Sequence, residues 1–443
     1  MIYDELMWPL RRGLARRRFA PVVLAGVALA GCSSDDPKVA PGVVSMPPSA
    51  DAGPPVSDEE GEGTAPEMDL PLVGLSRADL DRFKKGDKLF DGVLTEADGL
   101  GPLYIRAACA ACHREGGAGP GDVQKFQVVD PVTHAPIPNA PELAFGGTER
   151  PFAVAGATRP LLAPAPLAGH ELVHSRRVGP TVLGRGYIEA VLDSEIERMA
   201  AEQAVRTDSI HGRVARVTYH SQAIPGVAVP HAPGEAVIGR FGLKARVATL
   251  DDFTADAFQG DMGLTSPLRP TELPNPDGLM DDLKTGVDLP DATVTTVAAY
   301  VRMLEIPART GAASNAEIGA AAFAAADCAV CHAPNLKTRP DYPVPQLADI
   351  FAPLYSDLLL HDMGEELADR QTDEGAGPRD WRTAPLIGLR FQSAYLHDGR
   401  AGSVEAAILK HAGAGSEANG SVEKFRALPP DQRAALLAFV QGL

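Results

Sequence analysis

Four of the five cysteines fall in two copies of one pattern, Cys109-Ala110-Ala111-Cys112-His113 and Cys328-Ala329-Val330-Cys331-His332. In C-x-x-C-H the two thiols can add to the two vinyl groups of a haem, and the adjacent histidine then supplies an axial nitrogen to the iron. The other chemistries open to paired thiols fit less well. A redox dithiol, or a simple disulfide, has no use for a histidine directly after the second cysteine. A zinc ion shared by both pairs leaves both histidines unexplained. Two covalently bound c-type haems are therefore expected, attached at Cys109, Cys112, Cys328 and Cys331, with His113 and His332 on the irons.

Such motifs need helices to deliver them. Ser76 is placed to cap a short amphipathic helix over Ala78–Gly86, and Asn315–Phe323 is a matching lead-in to Cys328. Val294–Leu304 has apolar residues at helical intervals, and Ile306-Pro307 stops it, which sets a domain boundary close to 308–313. After each motif a weak echo recurs, Gly179-Pro180-Thr181-Val182-Leu183-Gly184 and Ala384-Pro385-Leu386-Ile387-Gly388, as in a duplicated chain. No alternation of period two runs far. The fold expected is mainly α, with haem domains at residues 76–308 and 309–443, and the 44 glycines and 39 prolines predict long loops.

The fifth cysteine belongs to the N-terminus. Arg11, Arg12, Arg16, Arg17 and Arg18 precede an apolar run, Phe19–Ala30, too short to span a bilayer. It ends in Leu29-Ala30-Gly31-Cys32, which resembles a bacterial lipobox, so residues 1–31 read as a signal peptide and Cys32 as a lipid anchor. Residues 32–75 are rich in Pro, Gly and acid and read as a disordered tether. Loss of five arginines and two acids with the signal takes the net charge from −17 to −20, which argues against nucleic acid. The expected setting is the periplasmic side of the cell envelope, at the outer membrane, with membrane contact through the anchor alone. Export also suits haem attachment, which takes place outside the inner membrane.

The last sixty residues, with Arg382-Thr383-Ala384-Pro385-Leu386 and Tyr395-Leu396-His397-Asp398-Gly399-Arg400, are similar to the C-terminal haem loop of bacterial di-haem cytochrome c peroxidases. The chain resembles more closely a related di-haem oxidoreductase family, described as peroxidase or thiol oxidoreductase. That likeness is carried by Asp98–Leu103, Ile188-Glu189-Ala190, Gly239–Gly242, Gly260-Asp261-Met262-Gly263 and Leu360–Gly364, and covers roughly residues 75–443. It implies two cytochrome c-like domains, one haem relaying electrons and the other reacting. It also implies a small soluble donor of cytochrome or cupredoxin type. Residues 211–233 lack the acidic glycine-rich stretch of the family, which leaves calcium binding open, and Gly377-Pro378-Arg379-Asp380 stands where the better-known peroxidases place a ligand methionine. The thiol-oxidoreductase label finds no free cysteine to carry it.

In a two-haem enzyme the sixth ligand of each iron separates a reactive site from a relay. Met363, 31 residues after His332, is the expected sixth ligand of the C-terminal haem, because Met–His ligation raises the potential. Met262 is a second choice for either haem, and His361, His397 and His411 are alternatives. Peroxide cleavage needs an acid/base, and Glu189, in an apolar context that could raise its pKa, is expected to be that group. Arg185, Arg382 and Arg400 suit haem propionates. Trp381, the one tryptophan left once the signal is removed, either relays electrons or fills a haem pocket. A peroxidase-like enzyme is the first reading, with a plain electron-transfer cytochrome or a di-haem oxygenase as alternatives.

Overall fold

The computed structural model describes residues 68–119, 123–133, 135–137, 143–159, 169–220, 231–279, 286–311 and 313–443. The signal peptide, Cys32 and residues 33–67 of the tether lie outside the described residues. Thr64–Leu443 forms one compact unit. Among the described residues no helix is long and apolar enough to cross a membrane.

Ten helices are present among those residues. They are α1 (Arg77–Asp91), α2 (Arg185–Ala190), α3 (Asp193–Ala204), α4 (Leu250–Met262), α5 (Asp291–Arg302), α6 (Ala313–Ala325), α7 (Cys328–Cys331), α8 (Val404–Leu409), α9 (Asn419–Ala427) and α10 (Pro430–Gln441). The strands are β1 (Leu103–Tyr104), β2 (Val123–Val129), β3 (Phe152–Ala153), β4 (Glu171–Arg177), β5 (Arg216–Thr218), β6 (Ala236–Ile238), β7 (Leu336–Lys337), β8 (Phe351–Ala352), β9 (Leu360–Asp362) and β10 (Asp380–Arg382). They form five two-stranded antiparallel ribbons, β1–β3, β2–β4, β5–β6, β7–β8 and β9–β10. The architecture is therefore mixed, which corrects the mainly α expectation. The long loops close on themselves as ribbons, because buried backbone groups there need partners.

The helices read from sequence are present. Ser76 caps α1 by accepting from Asp79 N at 3.1 Å, and Phe83, Gly86 and Phe90 form its buried stripe. The helix crosses α5 at Gly86, where a Cβ would lie 2.5 Å from Tyr300 Cβ and 2.6 Å from the Thr296 carbonyl. The second half repeats the device. α6 crosses α10 at Gly319, where a Cβ would lie 2.4 Å from both the Ala435 carbonyl and Phe439 Cβ. In each case the glycine is followed four residues later by a phenylalanine, Phe90 or Phe323, whose ring lies 6.3 or 6.4 Å from His113 or His332. Gly319→Ala should therefore destabilise the protein by about 1–3 kcal/mol despite the better helix propensity of alanine, because backbone and Cβ atoms must move apart. Denaturant midpoints of wild type and variant test this; a variant at least as stable as wild type would contradict the close crossing.

The Pro loops interlock as well. Gly184 and Gly388 both adopt left-handed φ, +66° and +64°, and each starts a helical turn. A Cβ on Gly184 would lie 3.0 Å from Ile387 Cδ1, and one on Gly388 3.6 Å from Leu183 Cδ1. The residue before each glycine thus covers the other glycine, so the echo in the sequence is also a reciprocal contact. The core follows suit. Its main cluster joins Phe90, Ile188, Phe258 and Tyr300 to Leu347, Leu359 and Ile387, across the boundary expected near 308–313. A second cluster, with Phe323, Phe425, Leu436 and Val440, belongs to the C-terminal part. Leu70 and Leu72, read as tether, pair with Glu305 and Met303 of the main chain, and Leu72 is buried, so packed structure starts before residue 76.

Candidate functional site: two cysteine-histidine cavities

Each motif coils so that its histidine N–H donates to the carbonyl of the first cysteine, His113 to Cys109 at 2.8 Å and His332 to Cys328 at 2.9 Å. Each imidazole is then held by its Nδ1, His113 on the Gly117 carbonyl and His332 on the Tyr355 carbonyl, both at 3.0 Å. Burial depresses the pKa of both, and with the nearby His411 pushes His332 down to about 4. Neutral rings with Nε2 left over are what iron ligation requires. Burial pushes the Cys109 and Cys328 thiols up to about 12.

The two motifs open into different cavities. Cys109, Cys112 and His113 line one of about 480 Å³, and Cys328, Cys331 and His332 line one of about 300 Å³. No single zinc ion can reach both pairs across that division. Pro180, Thr181, Arg185 and Leu243 line both cavities and form the wall between them.

Arg185 and Arg382 are buried, and no carboxylate hydrogen-bonds either one among the described residues. Arg185 donates from Nε to the Thr181 carbonyl at 2.6 Å, and burial together with the Arg382 charge pushes it down to about 9. Two desolvated cations side by side call for an anion, and the carboxylates of a haem edge answer that need. Arg400 does not share this setting, since it bonds Asp398 and the Glu366 carbonyl and lines neither cavity. Thiol pair, pinned imidazole and unpaired buried arginines together fit a haem in each cavity.

The remaining predicted residues separate. Met363 lines the C-terminal cavity with His332, and Met262 the N-terminal one with His113, at the end of α4 and packed in the main core. Trp381 lines the C-terminal cavity, stacked on His397 with 3.8 Å between ring centroids, and its Nε1 donates to the Leu367 carbonyl at 2.8 Å. Over the Trp381 ring, 4.3 Å from its centroid, sits Lys244 Nζ. That ammonium is fully buried in a cage of the Asp369 carboxylate and the carbonyls of Gln371, Gly377 and Pro378.

Glu189 is elsewhere, and its expected role is corrected. Its carboxylate accepts from Arg302 Nε at 2.5 Å, Leu250 N at 2.8 Å and Tyr342 Oη at 2.6 Å, and it lines neither cavity. Burial alone would raise its pKa, but the Arg302 charge and these hydrogen bonds hold it below the usual carboxylate range. The apolar neighbours in sequence signalled burial correctly and the direction of the shift wrongly.

The titratable groups that line the N-terminal cavity include Lys125 on β2, Arg246 before α4, Asp256 and Asp261 on α4, and Asp373. Burial raises Asp261 to about 6. Asp256 is half-buried, and the Arg246 guanidinium paired with it keeps its pKa below normal against that partial burial. Asp261 lies within the family-like stretch Gly260–Gly263, whose sequence alone assigns it no task. The available signal was two acids five residues apart on a helix with buried Leu250, Ala255, Phe258 and Met262.

Residues 165–443 match the family described as "Di-haem oxidoreductase, putative peroxidase", and the protein belongs to that family. No curated protein matches the chain. Two solved structures are similar to it at 14% identity. One is the hydrazine synthase of Kuenenia stuttgartiensis pressurised with xenon, matched over 91% of this chain and 99% of that chain with a TM-score of 0.36. The other is a MauG-like protein associated with microbial copper homeostasis, matched over 87% of this chain and 95% of that chain with a TM-score of 0.38.

Proposed function

We propose that this di-haem oxidoreductase reduces peroxide, with c-type haems bound covalently at Cys109/Cys112 and Cys328/Cys331, the N-terminal one reactive and the C-terminal one a relay. The observation that carries this reading is the contrast between the cavities. The N-terminal cavity is lined by the carboxyls of Asp256, Asp261 and Asp373 beside Lys125 and Arg246, whereas the carboxylates lining the C-terminal one, Asp327 and Glu417, are taken by Lys424 and His361, and that cavity offers imidazoles and a thioether to close an iron. When bound, the haems supply redox-active iron and, at the reactive site, a position where peroxide can bind.

The chain's own residues handle the protons. Two carboxyls on one helix with pKa values driven apart are the arrangement expected of an acid/base and its fixed charged neighbour. Asp256, ionised against Arg246, is the fixed charge. Asp261, near the physiological range, takes the proton from one peroxide oxygen and returns it to the other. With two electrons and two protons, one peroxide becomes two waters. The electrons come from a small soluble donor, cytochrome or cupredoxin, and the acidic surface favours a basic one. Lipidation of Cys32 would hold the enzyme on the periplasmic side of the envelope, at the outer membrane.

A stepwise reductive titration of the holoprotein, followed by peroxide and read by absorption and electron spin resonance, tests the reading. One iron should remain low-spin while the other binds and consumes peroxide. If both irons stay low-spin and ignore peroxide, the protein is an electron-transfer cytochrome instead.

A further inference from the structure

Four histidines line the C-terminal cavity, and their ring nitrogens are not equally free. His361 commits both, Nδ1 to Glu417 at 2.7 Å and Nε2 to Asp357 at 3.0 Å. His397 lies flat on Trp381. The two that remain are built alike. His332 Nδ1 is held by the Tyr355 carbonyl at 3.0 Å and His411 Nδ1 by the Ala407 carbonyl at 2.7 Å, and among the described residues nothing hydrogen-bonds either Nε2. An imidazole pinned through Nδ1 to a carbonyl presents its Nε2 lone pair, in the tautomer and orientation of a metal ligand.

The fold aims His411 deliberately. Val404, Ala407, Ile408 and His411 all line the cavity, at steps of three, four and seven residues along one face of α8 and its C-terminal turn. Ser403 caps that helix by accepting from Ala406 N at 3.1 Å. The carbonyl that holds the ring belongs to the residue four before it, so the backbone itself sets the imidazole. Met363 offers a thioether to the same cavity, but its sulfur is the flexible end of a chain with three rotatable bonds and no second atom to anchor it.

We infer that His411, rather than Met363, is the sixth ligand of the C-terminal haem iron, closing it as a bis-imidazole site. This rests on the proposed haem in that cavity and deepens the relay role given to it. A closed low-spin iron passes electrons without binding peroxide. Its potential is lower than a histidine–methionine pair would confer.

The test uses the full-length holoprotein, with spin resonance and near-infrared magnetic circular dichroism, and reads haem content and the N-terminal haem signal as controls. Wild type should show an imidazole–imidazole low-spin signal. His411→Ala should convert it to high-spin, and added imidazole should restore it; Met363→Leu should leave it unchanged. A low-spin signal that survives His411→Ala, or is lost in Met363→Leu, overturns the assignment. Should His411→Ala fail to retain haem, His411→Met should replace the signal with a thioether charge-transfer band and a higher potential, and an unaltered spectrum overturns the inference. Peroxide consumption at the N-terminal haem is read separately, so the ligand assignment can fail while the peroxidase reading stands, and the reverse.

Discussion

Glu189→Gln is expected to cost about 1.5–3 kcal/mol of stability, because it removes one of the two carboxylates, both at 2.5 Å, that neutralise the buried Arg302 and leaves Asp251 as its remaining anion. Arg302 is fully enclosed by Glu189, by Asp251 at 2.5 Å and by the helices that carry them. The carboxylate ties α2 to α5 through Arg302, to the start of α4 through Leu250 N, and to the segment after β7 through Tyr342. A neutral amide keeps the shape and loses the charge. The pH dependence has a definite sign. The folded carboxyl lies below its unfolded value of about 4.3, so its stabilisation is complete above that value and is lost as pH falls through the folded pKa. The variant should lack that part of the acid unfolding limb. Denaturant and acid titrations followed by circular dichroism check both effects; a variant as stable as wild type that has lost turnover would instead restore Glu189 to the chemistry.

Asp261→Asn is expected to lower peroxide turnover by roughly 10²–10⁴-fold while leaving haem content and the low-spin signal of the C-terminal site in place. In the proposed role of base for the first proton transfer Asp261 must be ionised, so the wild-type rate should rise with pH through about 6 and the variant should lack that limb. Asp256→Asn is a useful contrast. It frees Arg246 from its partner at 3.0 Å and perturbs the charge around Asp261, so it should move the limb rather than abolish it. Steady-state kinetics across pH 4.5–8 on the three proteins separate the roles, on the order of the enhancement usual for a positioned acid/base. An unchanged profile in Asp261→Asn would remove it from the mechanism.

What was legible in the sequence was local. The C-x-x-C-H spacing, the Ser76 cap, the Gly86 and Gly319 helices and the Pro–Gly echo all depend on residues within one or two turns of each other, and the fold keeps them. The ribbons were not legible. Phe126 faces His174 across β2 and β4, and Trp381 faces His361 across β10 and β9, pairings that no local period announces. Glu189 shows the same limit in its chemistry. Its own neighbours dictate burial, but Arg302, 113 residues away, decides the sign of its pKa shift.

By itself, then, the sequence determined that two cysteine pairs each carry a histidine, that a helix precedes each pair, and that a Pro–Gly echo follows each. Only the tertiary structure decided which acids and imidazoles share a cavity with which motif, how Arg185 comes to line both cavities, and that the two halves share one core. The reason is physical. Covalent spacing and helical period act over a few residues, whereas burial and charge act through space, and a side chain's protonation or ligand role depends on the partners that folding brings to it.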